Sequence, residues 1–156
     1  MDKSEILVET GLAKGMPPDA LKKFGGIAIP MEFSEGAVII DESDNSRDIF
    51  VIYEGLVSFK LKATPSFNET AQPPQALEIM FYRGVVGELS FMDGQGRAAT
   101  VVAMDKVKAL HLPFAELRNL MDTDINFGFN FLQNLSRILC SKVRHASDAL
   151  KNHMFL

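Results

Sequence analysis

Hydrophobic and polar residues alternate over short runs in the middle of the chain, whereas helical spacing dominates both ends. The middle contains seven short runs rich in valine, isoleucine and phenylalanine, separated by turn-forming residues. They are IAIPMEF, AVII, IFVIY, GLVSFKLK, ALEIMFY, AATVVAM and KVKALHL. Because no helix of crossover length separates these runs, the pattern predicts an antiparallel sandwich or jelly roll.

One long connection interrupts the β runs. It is ATPSFNETAQPPQA, residues 63–76, which lies between the fourth and fifth runs and contains three prolines. We interpret it as a surface loop, with a lid or a partner contact as the alternative.

The N-terminal helical region is predicted to occupy residues 1–24. Ser4 can cap a first short helix, and a Pro-Pro-Asp motif suits the opening turn of a second one. Two consecutive glycines, Gly25 and Gly26, are predicted to end that second helix because glycine is a poor helix former.

The C-terminal region, residues 124–156, is predicted to be one long helix that follows a β domain over residues 25–123. A stripe of apolar residues recurs along this helix at intervals of three or four. The stripe comprises Leu132, Leu135, Leu139, Val143, Ala146 and Leu150. We interpret its first half as covering the β core. Beyond Val143 two interpretations stay open, further core contact and contact with a second copy of the chain in a dimer.

Composition and charge narrow the functional classes. At 156 residues, with 47% hydrophobic and 23% charged residues, the chain fits one globular domain with its own core. The formal net charge is -4 and the basic residues are scattered, so no electrostatic footprint for nucleic acid is visible. The N-terminus lacks a long apolar stretch, and the single cysteine excludes a disulfide framework. We therefore expect a cytoplasmic protein without a membrane or nucleic-acid partner.

The run GELSFMDGQGRAATV, residues 87–101, concentrates the candidate chemistry. It contains three glycines, which weaken helices and strands and so indicate a sharp turn or a close approach to another group. A helical turn opening at Gly87 would point the N–H groups near Glu88, Leu89 and Ser90 at one spot. Because the helix dipole favours negative charge there, an anion is the expected ligand.

Arg97 adds a cation to this predicted anion site. It follows Gly87 by ten residues, and its planar guanidinium suits two phosphate oxygens. Ala98 and Ala99 are small enough for the main chain to approach a ligand closely. Glu88 would repel a bare phosphate, but its carboxylate can accept hydrogen bonds from hydroxyl groups such as those of a ribose. A phosphate and a sugar hydroxyl in one site suggest a nucleotide.

Each of these residues also has a simpler interpretation. Arg97 alone fits a surface ion pair and Glu88 a favourable interaction with the helix dipole, and only their joint spacing favours a site. His111 lies in an apolar run and is interpreted as a packed or edge histidine rather than a metal ligand. Cys140 is interpreted as a buried small hydrophobic residue rather than a nucleophile. Since no catalytic arrangement is visible, the sequence does not indicate an enzyme.

The segment GELSF followed by RAAT closely resembles the phosphate-binding cassette of cyclic nucleotide-binding domains, with a spacing similar to that of cAMP-dependent protein kinase regulatory subunits. Upstream, FSEGAVII and DIFVIYEGLVSF resemble the family's second to fourth strands, and downstream LQNLSRILCSKVRHASDAL resembles its last helices. The resemblance covers roughly residues 24–150. It implies an eight-stranded antiparallel β jelly roll, or double-stranded β-helix, with short N-terminal helices, a long C-terminal helix and the cassette at residues 84–101.

The resemblance also implies roles for individual residues. Arg97 would pair with the cyclic phosphate, and Glu88 would accept a hydrogen bond from the ribose 2'-hydroxyl. Main-chain N–H groups near Leu89, Ser90 and Ala98 would complete the phosphate cradle, and the glycine at its start would give the turn room. No cofactor is implied beyond the ligand itself.

Base recognition follows the family pattern less closely. Members that prefer cGMP often carry a hydroxyl residue directly after the arginine, so the alanine found here favours cAMP over cGMP. The Thr-Ser pair with which the catabolite activator's long helix meets the base is not reproduced, and Ser141 and Lys142 are the candidate base contacts. The segment YRGVV is one residue shorter than the common pattern and lacks its aspartate. Ser43 and Asp44 stand where a turn glycine is usual.

The resemblance favours a non-enzymatic regulatory module that binds a cyclic nucleoside monophosphate, cAMP before cGMP. It would signal to an unidentified protein effector through movement of its C-terminal helix. Two alternatives stay open. One is an interaction or dimerisation module of the same fold that no longer binds nucleotide. The other is the sensor part of a catabolite-activator-like transcription regulator without its DNA-binding domain.

Overall fold

The computed structural model describes residues 1–61, 77–81 and 83–154, with only the main chain described for residues 77–81 and 153. The predicted loop over residues 63–76 lies outside the described residues. The described chain forms two compact units. One comprises residues 28–114, and the other comprises residues 1–27 with residues 115–156.

The unit of residues 28–114 contains two antiparallel β-sheets. Its strands are β1 (Ile29–Phe33), β2 (Val38–Ile40), β3 (Ile49–Glu54), β4 (Val57–Leu61), β5 (Leu77–Phe81), β6 (Gly84–Val86), β7 (Thr100–Ala103) and β8 (Val107–Leu112). One sheet has the strand order β1-β8-β3-β6 and the other β2-β7-β4-β5. The predicted jelly-roll class is confirmed. The described residues add β6 to the seven runs read from the pattern, and this strand has only three residues.

Apolar side chains from both sheets form the core of this unit. The strands are rich in β-branched residues, which fit the pleated surface, and alternate side chains point to opposite faces of each sheet. The buried cluster comprises Ile39, Ile40, Ile52, Val57, Val86, Val101, Ala103, Val107 and Ala109, with Phe33, Phe50 and Phe59 packed against it. Burial of each valine or isoleucine stabilises the fold by about 1.5–3 kcal/mol.

The second unit is helical. It contains α1 (Lys3–Glu9), α2 (Pro18–Ile27), α4 (Phe114–Thr123, of which residues 115–123 belong to this unit) and α5 (Ile125–Met154), whereas α3 (Glu88–Asp93) belongs to the β unit. None of the helices in the described part of the chain has the length and apolar character needed to cross a membrane.

Two predictions for the N-terminal helices were wrong. Asp2, not Ser4, caps α1, and it forms a capping box with Glu5. The two glycines do not end α2, which continues to Ile27. Gly25 is buried, and a Cβ atom there would lie 3.2 Å from Ser4 Oγ, so the glycine permits close packing of α1 on α2.

Aromatic packing holds the first half of α5 in the helical unit. The Phe24 ring centroid lies 5.2 Å from that of Phe127 and 5.8 Å from that of Phe131, both with edge-to-face geometry. The buried Asn134 side chain donates hydrogen bonds to the main-chain oxygens of Leu12 and Lys14, each at 2.9 Å. These contacts fix α5 to the segment between α1 and α2.

The predicted apolar stripe of α5 divides into a buried and an exposed part. Leu135 is buried and Leu139 is half-buried, whereas Leu132, Val143 and Leu150 are exposed. The interpretation of Cys140 as buried was wrong, because this residue is exposed. The side chains beyond Val143 in the described part of α5 are all exposed.

Candidate functional site

The cassette begins at a glycine that no other residue could replace without strain. Gly87 is the N-cap of α3 and has φ 85°, in the left-handed region that favours glycine. A Cβ atom at this position would lie 2.6 Å from the main-chain oxygen of Asp48 and 2.7 Å from Arg97 Nη1. The glycine therefore lets two other groups approach the turn, as the sequence indicates.

Arg97 is held by four acceptors of the protein itself. Its Nη1 donates to the main-chain oxygen of Gly87 at 3.1 Å and to Ser90 Oγ at 2.8 Å. Its Nη2 donates to Ser46 Oγ at 3.2 Å and to the main-chain oxygen of Asp48 at 2.9 Å. The residue is 8% exposed, so these contacts place a positive charge in a largely buried position.

One donor of the same guanidinium is unused. Arg97 Nε is buried and has no hydrogen-bond acceptor in the part of the chain that the structure describes. A buried donor without an acceptor costs about 1–3 kcal/mol, so an anionic oxygen at Nε would be favoured. Burial lowers the pKa of Arg97, and the carboxylates of Asp44, Asp48 and Glu88 oppose this shift.

The other predicted cassette residues differ in exposure. Glu88, Ser90 and Ala99 are buried, and the Glu88 carboxylate is close enough to act electrostatically on the guanidinium. Leu89 and Ala98 are exposed. The structure thus gathers the glycine, the glutamate, the serine and the arginine of the motif, whereas contact with a ligand stays a prediction for all of them.

The candidate base contacts lie in the helical unit. Ser141 is exposed and Lys142 is half-buried on α5. Their predicted contact with a nucleotide base stays a prediction.

A second segment of the site was missed by sequence reasoning. Residues 46–48 precede β3, and all three contact the cassette. Arg47 donates from Nε to the main-chain oxygen of Ser90 at 2.9 Å and from Nη2 to that of Phe91 at 2.7 Å. Its guanidinium also lies 4.3 Å from the ring centroid of Phe114. The only signal in the sequence is a polar turn, which does not show what its side chains reach.

Asp48 links this segment to β8 and to the start of α4. Its Oδ1 accepts the N–H of Phe114 at 2.7 Å, and its Oδ2 lies 2.8 Å from His111 Nε2. Burial by itself raises the pKa of the Asp48 carboxyl. The hydrogen bond from the Phe114 N–H and the contact with His111 together lower the pKa by more, so its net value lies below the ordinary one.

His111 is packed, as the sequence predicts. Its ring stacks on Phe50, with centroids 4.8 Å apart. Within the described ranges there is no group of three or more histidine, cysteine or acidic residues suited to a metal ion.

Comparison with known families identifies the family that has this cassette and these two sheets. The model of the cyclic nucleotide-binding domain family matches residues 30–124, which is more than half of the chain. The chain belongs to the cyclic nucleotide-binding domain family. The resemblance drawn from the cassette is therefore confirmed for this cyclic nucleotide-binding domain.

One curated relative covers nearly all of the domain. It is the CRP-like cAMP-activated global transcriptional regulator of Mycobacterium tuberculosis, 24% identical over 151 residues. The match includes 97% of this chain but 63% of the regulator. The domain thus spans less than two thirds of the length of that relative.

Several solved structures share the fold. A cyclic nucleotide-binding domain from Methylobacillus flagellatus has a TM-score of 0.81 at 18% identity, with 97% of this chain and 82% of that chain covered. The Thermus thermophilus catabolite activator protein has a TM-score of 0.70 at 20% identity, with 93% and 63% covered. The regulatory domain of Toxoplasma gondii PKA, crystallised with cAMP, has a TM-score of 0.64 at 22% identity, with 76% and 44% covered.

Proposed function

We propose that this domain is a non-enzymatic regulatory module that binds a cyclic nucleoside monophosphate, with cAMP as the ligand. The observation that carries the proposal is the buried guanidinium of Arg97, whose Nε has no acceptor among the described residues. Membership of the family and the cAMP-activated M. tuberculosis relative support the same conclusion. The ligand would alter the arrangement of α5, which would signal to a protein effector.

The guanidinium can receive the phosphate on one edge. Nε–H and the adjacent Nη2–H form a fork that matches two oxygens of one phosphate. Ser46 Oγ is the more distant of the two acceptors on Nη2, at 3.2 Å against 2.9 Å for the Asp48 oxygen. A phosphate oxygen would therefore replace the serine hydroxyl and leave the main-chain contact in place.

Two further residues support a nucleotide rather than a simple phosphate. Glu88 is a buried carboxylate beside the guanidinium, and it could accept the ribose 2'-hydroxyl. Ala98 lacks the hydroxyl that accompanies cGMP preference in the family. We infer a preference for cAMP over cGMP on that basis.

Isothermal titration calorimetry tests this function directly. Protein freed of bound nucleotide is titrated with cAMP, then with cGMP, and with 5'-AMP as the control that has an open phosphate. We expect saturable binding at micromolar or lower concentration, strongest for cAMP. If the folded protein binds none of the three, the alternative of an interaction module without nucleotide replaces the proposal.

A specific pattern on α5 favours self-association as a second function. Its apolar residues form two sets spaced by seven, with alternating steps of three and four between them. One set is Ile125, Leu132, Leu139 and Ala146, and the other is Phe129, Val143 and Leu150, with Ser136 in its series. Of these, Ile125, Phe129, Val143 and Leu150 are 64–80% exposed. A heptad seam of this kind suits a parallel coiled coil with a second copy.

Charges placed in this seam should separate the dimer. In the variant Val143→Glu with Leu150→Glu, we expect the dimer dissociation constant to rise at least about 100-fold, or about 1.4 kcal/mol or more per substituted position. Sedimentation equilibrium measures the change. The variant His145→Glu with Asn152→Glu adds the same two charges per chain at exposed positions outside the seam. It is the matched control and should remain dimeric. A wild-type protein that stays monomeric at high concentration would exclude this interface.

The M. tuberculosis relative supports one further role for a domain with this ligand site. Its name describes a transcriptional regulator, so the domain could act as the sensor part of such a protein. The titration above applies unchanged to that role, because it tests the ligand and not the effector.

A further inference from the structure

Asp48 is the residue at which the arginine site, β8 and α4 meet. Its main-chain oxygen accepts Arg97 Nη2 at 2.9 Å. Its two carboxylate oxygens contact the N–H of Phe114 at 2.7 Å and Nε2 of His111 at 2.8 Å. One residue therefore has polar contacts to three different parts of the β unit.

The carboxylate contacts restrain the carbonyl group. Asp48 directly precedes β3, whose first residue Ile49 pairs with Leu112 of β8. With both carboxylate oxygens held, the residue cannot turn its carbonyl away from the guanidinium without breaking at least one further hydrogen bond. The orientation of Arg97 would thus depend on a carboxylate that acts on the guanidinium electrostatically, while the hydrogen bond to Arg97 is made by the main-chain oxygen of the same residue.

The same carboxylate holds the first residue of α4. Phe114 donates its N–H to Asp48, and its ring lies 5.4 Å from that of Phe91 on α3 and 4.3 Å from the Arg47 guanidinium. Phe114 is therefore in contact with the cassette helix and with the segment of residues 46–48. A shift of either one changes the surroundings of this residue.

We propose that Asp48 is a positioning residue that orients Arg97 for the phosphate and links the occupancy of the site to the start of α4. The inference rests on the proposed function and extends it to a residue outside the cassette. Phosphate binding at Nε and Nη2 pulls on the hydrogen bond to the Asp48 carbonyl. The carboxylate of the same residue transmits that change to the Phe114 N–H.

Two variants of Asp48 separate positioning from simple stability. Asp48→Ala removes both carboxylate contacts. Asp48→Asn keeps an oxygen for the Phe114 N–H and presents an amide to His111. The matched control is Asp105→Ala, since Asp105 Oδ1 accepts the N–H of Leu56 at 2.8 Å near the opposite end of β3. Because β3 has six residues, its two ends lie about 20 Å apart.

Calorimetric titration with cAMP provides the first readout. We expect Asp48→Ala to weaken binding about tenfold, Asp48→Asn to restore it to within about threefold, and Asp105→Ala to leave it unchanged. Thermal melts of all three variants report the loss of stability separately. Wild-type affinity in Asp48→Ala would overturn the inference, as would an equal loss of affinity in Asp105→Ala.

NMR of nucleotide-free protein provides a second readout that does not require cAMP binding. In the wild type, the Arg97 Nε–H and the Phe114 amide should each give a sharp resonance that exchanges slowly with water. Asp48→Ala should broaden or shift both, and Asp105→Ala neither. In the wild type, cAMP should also shift the Phe114 amide along its saturation curve. An Arg97 resonance unaffected by Asp48→Ala, or a Phe114 amide unaffected by saturating cAMP, would overturn the inference. A wild type that does not bind cAMP would instead reject the proposed function, and the nucleotide-free spectra would still decide the positioning role.

Discussion

Replacing Arg97 by alanine is expected to weaken cAMP binding by roughly 100-fold to several thousand-fold. Loss of one partner of a buried charge pair costs about 3–5 kcal/mol, and each 1.4 kcal/mol corresponds to about tenfold in affinity. The guanidinium is 8% exposed and its Nε has no acceptor among the described residues, so the substitution removes a buried positive charge together with a donor available to the phosphate. Isothermal titration calorimetry measures the change.

A second substitution distinguishes a loss of ligand binding from a loss of the fold. Arg97 also joins Gly87 and Ser90 to the segment of residues 46–48, so alanine removes structural hydrogen bonds as well. Arg97→Lys keeps the charge but loses the planar fork, and we expect it to stay folded and bind cAMP at least about tenfold more weakly. Arg118→Ala, which removes an exposed arginine, should bind like the wild type. Unchanged affinity in the folded lysine and alanine variants would remove the cassette from the ligand site.

Gly87→Ala is expected to damage both the fold and the site. The new methyl group would lie 2.6 Å from the Asp48 main-chain oxygen and 2.7 Å from Arg97 Nη1, so the backbone or the buried guanidinium must move. The left-handed φ of 85° adds about 1–2 kcal/mol of strain for any residue other than glycine. We expect cAMP affinity to fall more than about tenfold, because the methyl group would crowd the guanidinium that we propose to bind the phosphate.

Gly36→Ala is the matched control for this substitution. Gly36 has φ 82°, but a Cβ atom there would have no neighbour within 4 Å in the part of the chain that the structure describes. It should lose only the strain energy, which lowers the melting temperature by about 2–8 °C for a protein of this size, and should keep wild-type affinity. Differential scanning calorimetry should show a drop in Gly87→Ala at least twice as large. Equal melting temperatures for the two variants would show that the close contacts of a methyl group at position 87 do not destabilise the fold.

The sequence predicted the strands well because they depend on local pattern. Seven apolar runs correspond to seven strands, whereas β6 is a Gly-Val-Val segment too short to show any period. The relation between Gly87 and Arg97 was also predictable, because the two residues lie only ten positions apart in one motif. The family resemblance added support for a cyclic nucleotide site, which the spacing alone only suggested.

The rest of the site could not be read because its contacts join distant segments. Arg97 meets Ser46 and the Asp48 oxygen across 51 and 49 positions of the chain. A polar turn with the sequence Ser-Arg-Asp is compatible with solvent exposure, and no local rule indicates that its side chains turn inward. The expected burial of Leu132 and Cys140 was wrong for a similar reason. The apolar stripe identifies the apolar side of α5. It does not show how much of that side is buried against other residues of the helical unit.

If α5 pairs with a second copy as proposed, the helix content of its exposed end should depend on protein concentration. From residue 143 to residue 152 every side chain is exposed, so no buried face of the same chain stabilises these turns. Isolated helices shorter than about 12–15 residues are marginal in water, even for favourable sequences. Pairing of two copies would bury the seam and make the last turns of the helix more stable. Helix content at the C-terminus would then rise with concentration, and any effector that covers the seam would order the same turns in place of the second copy.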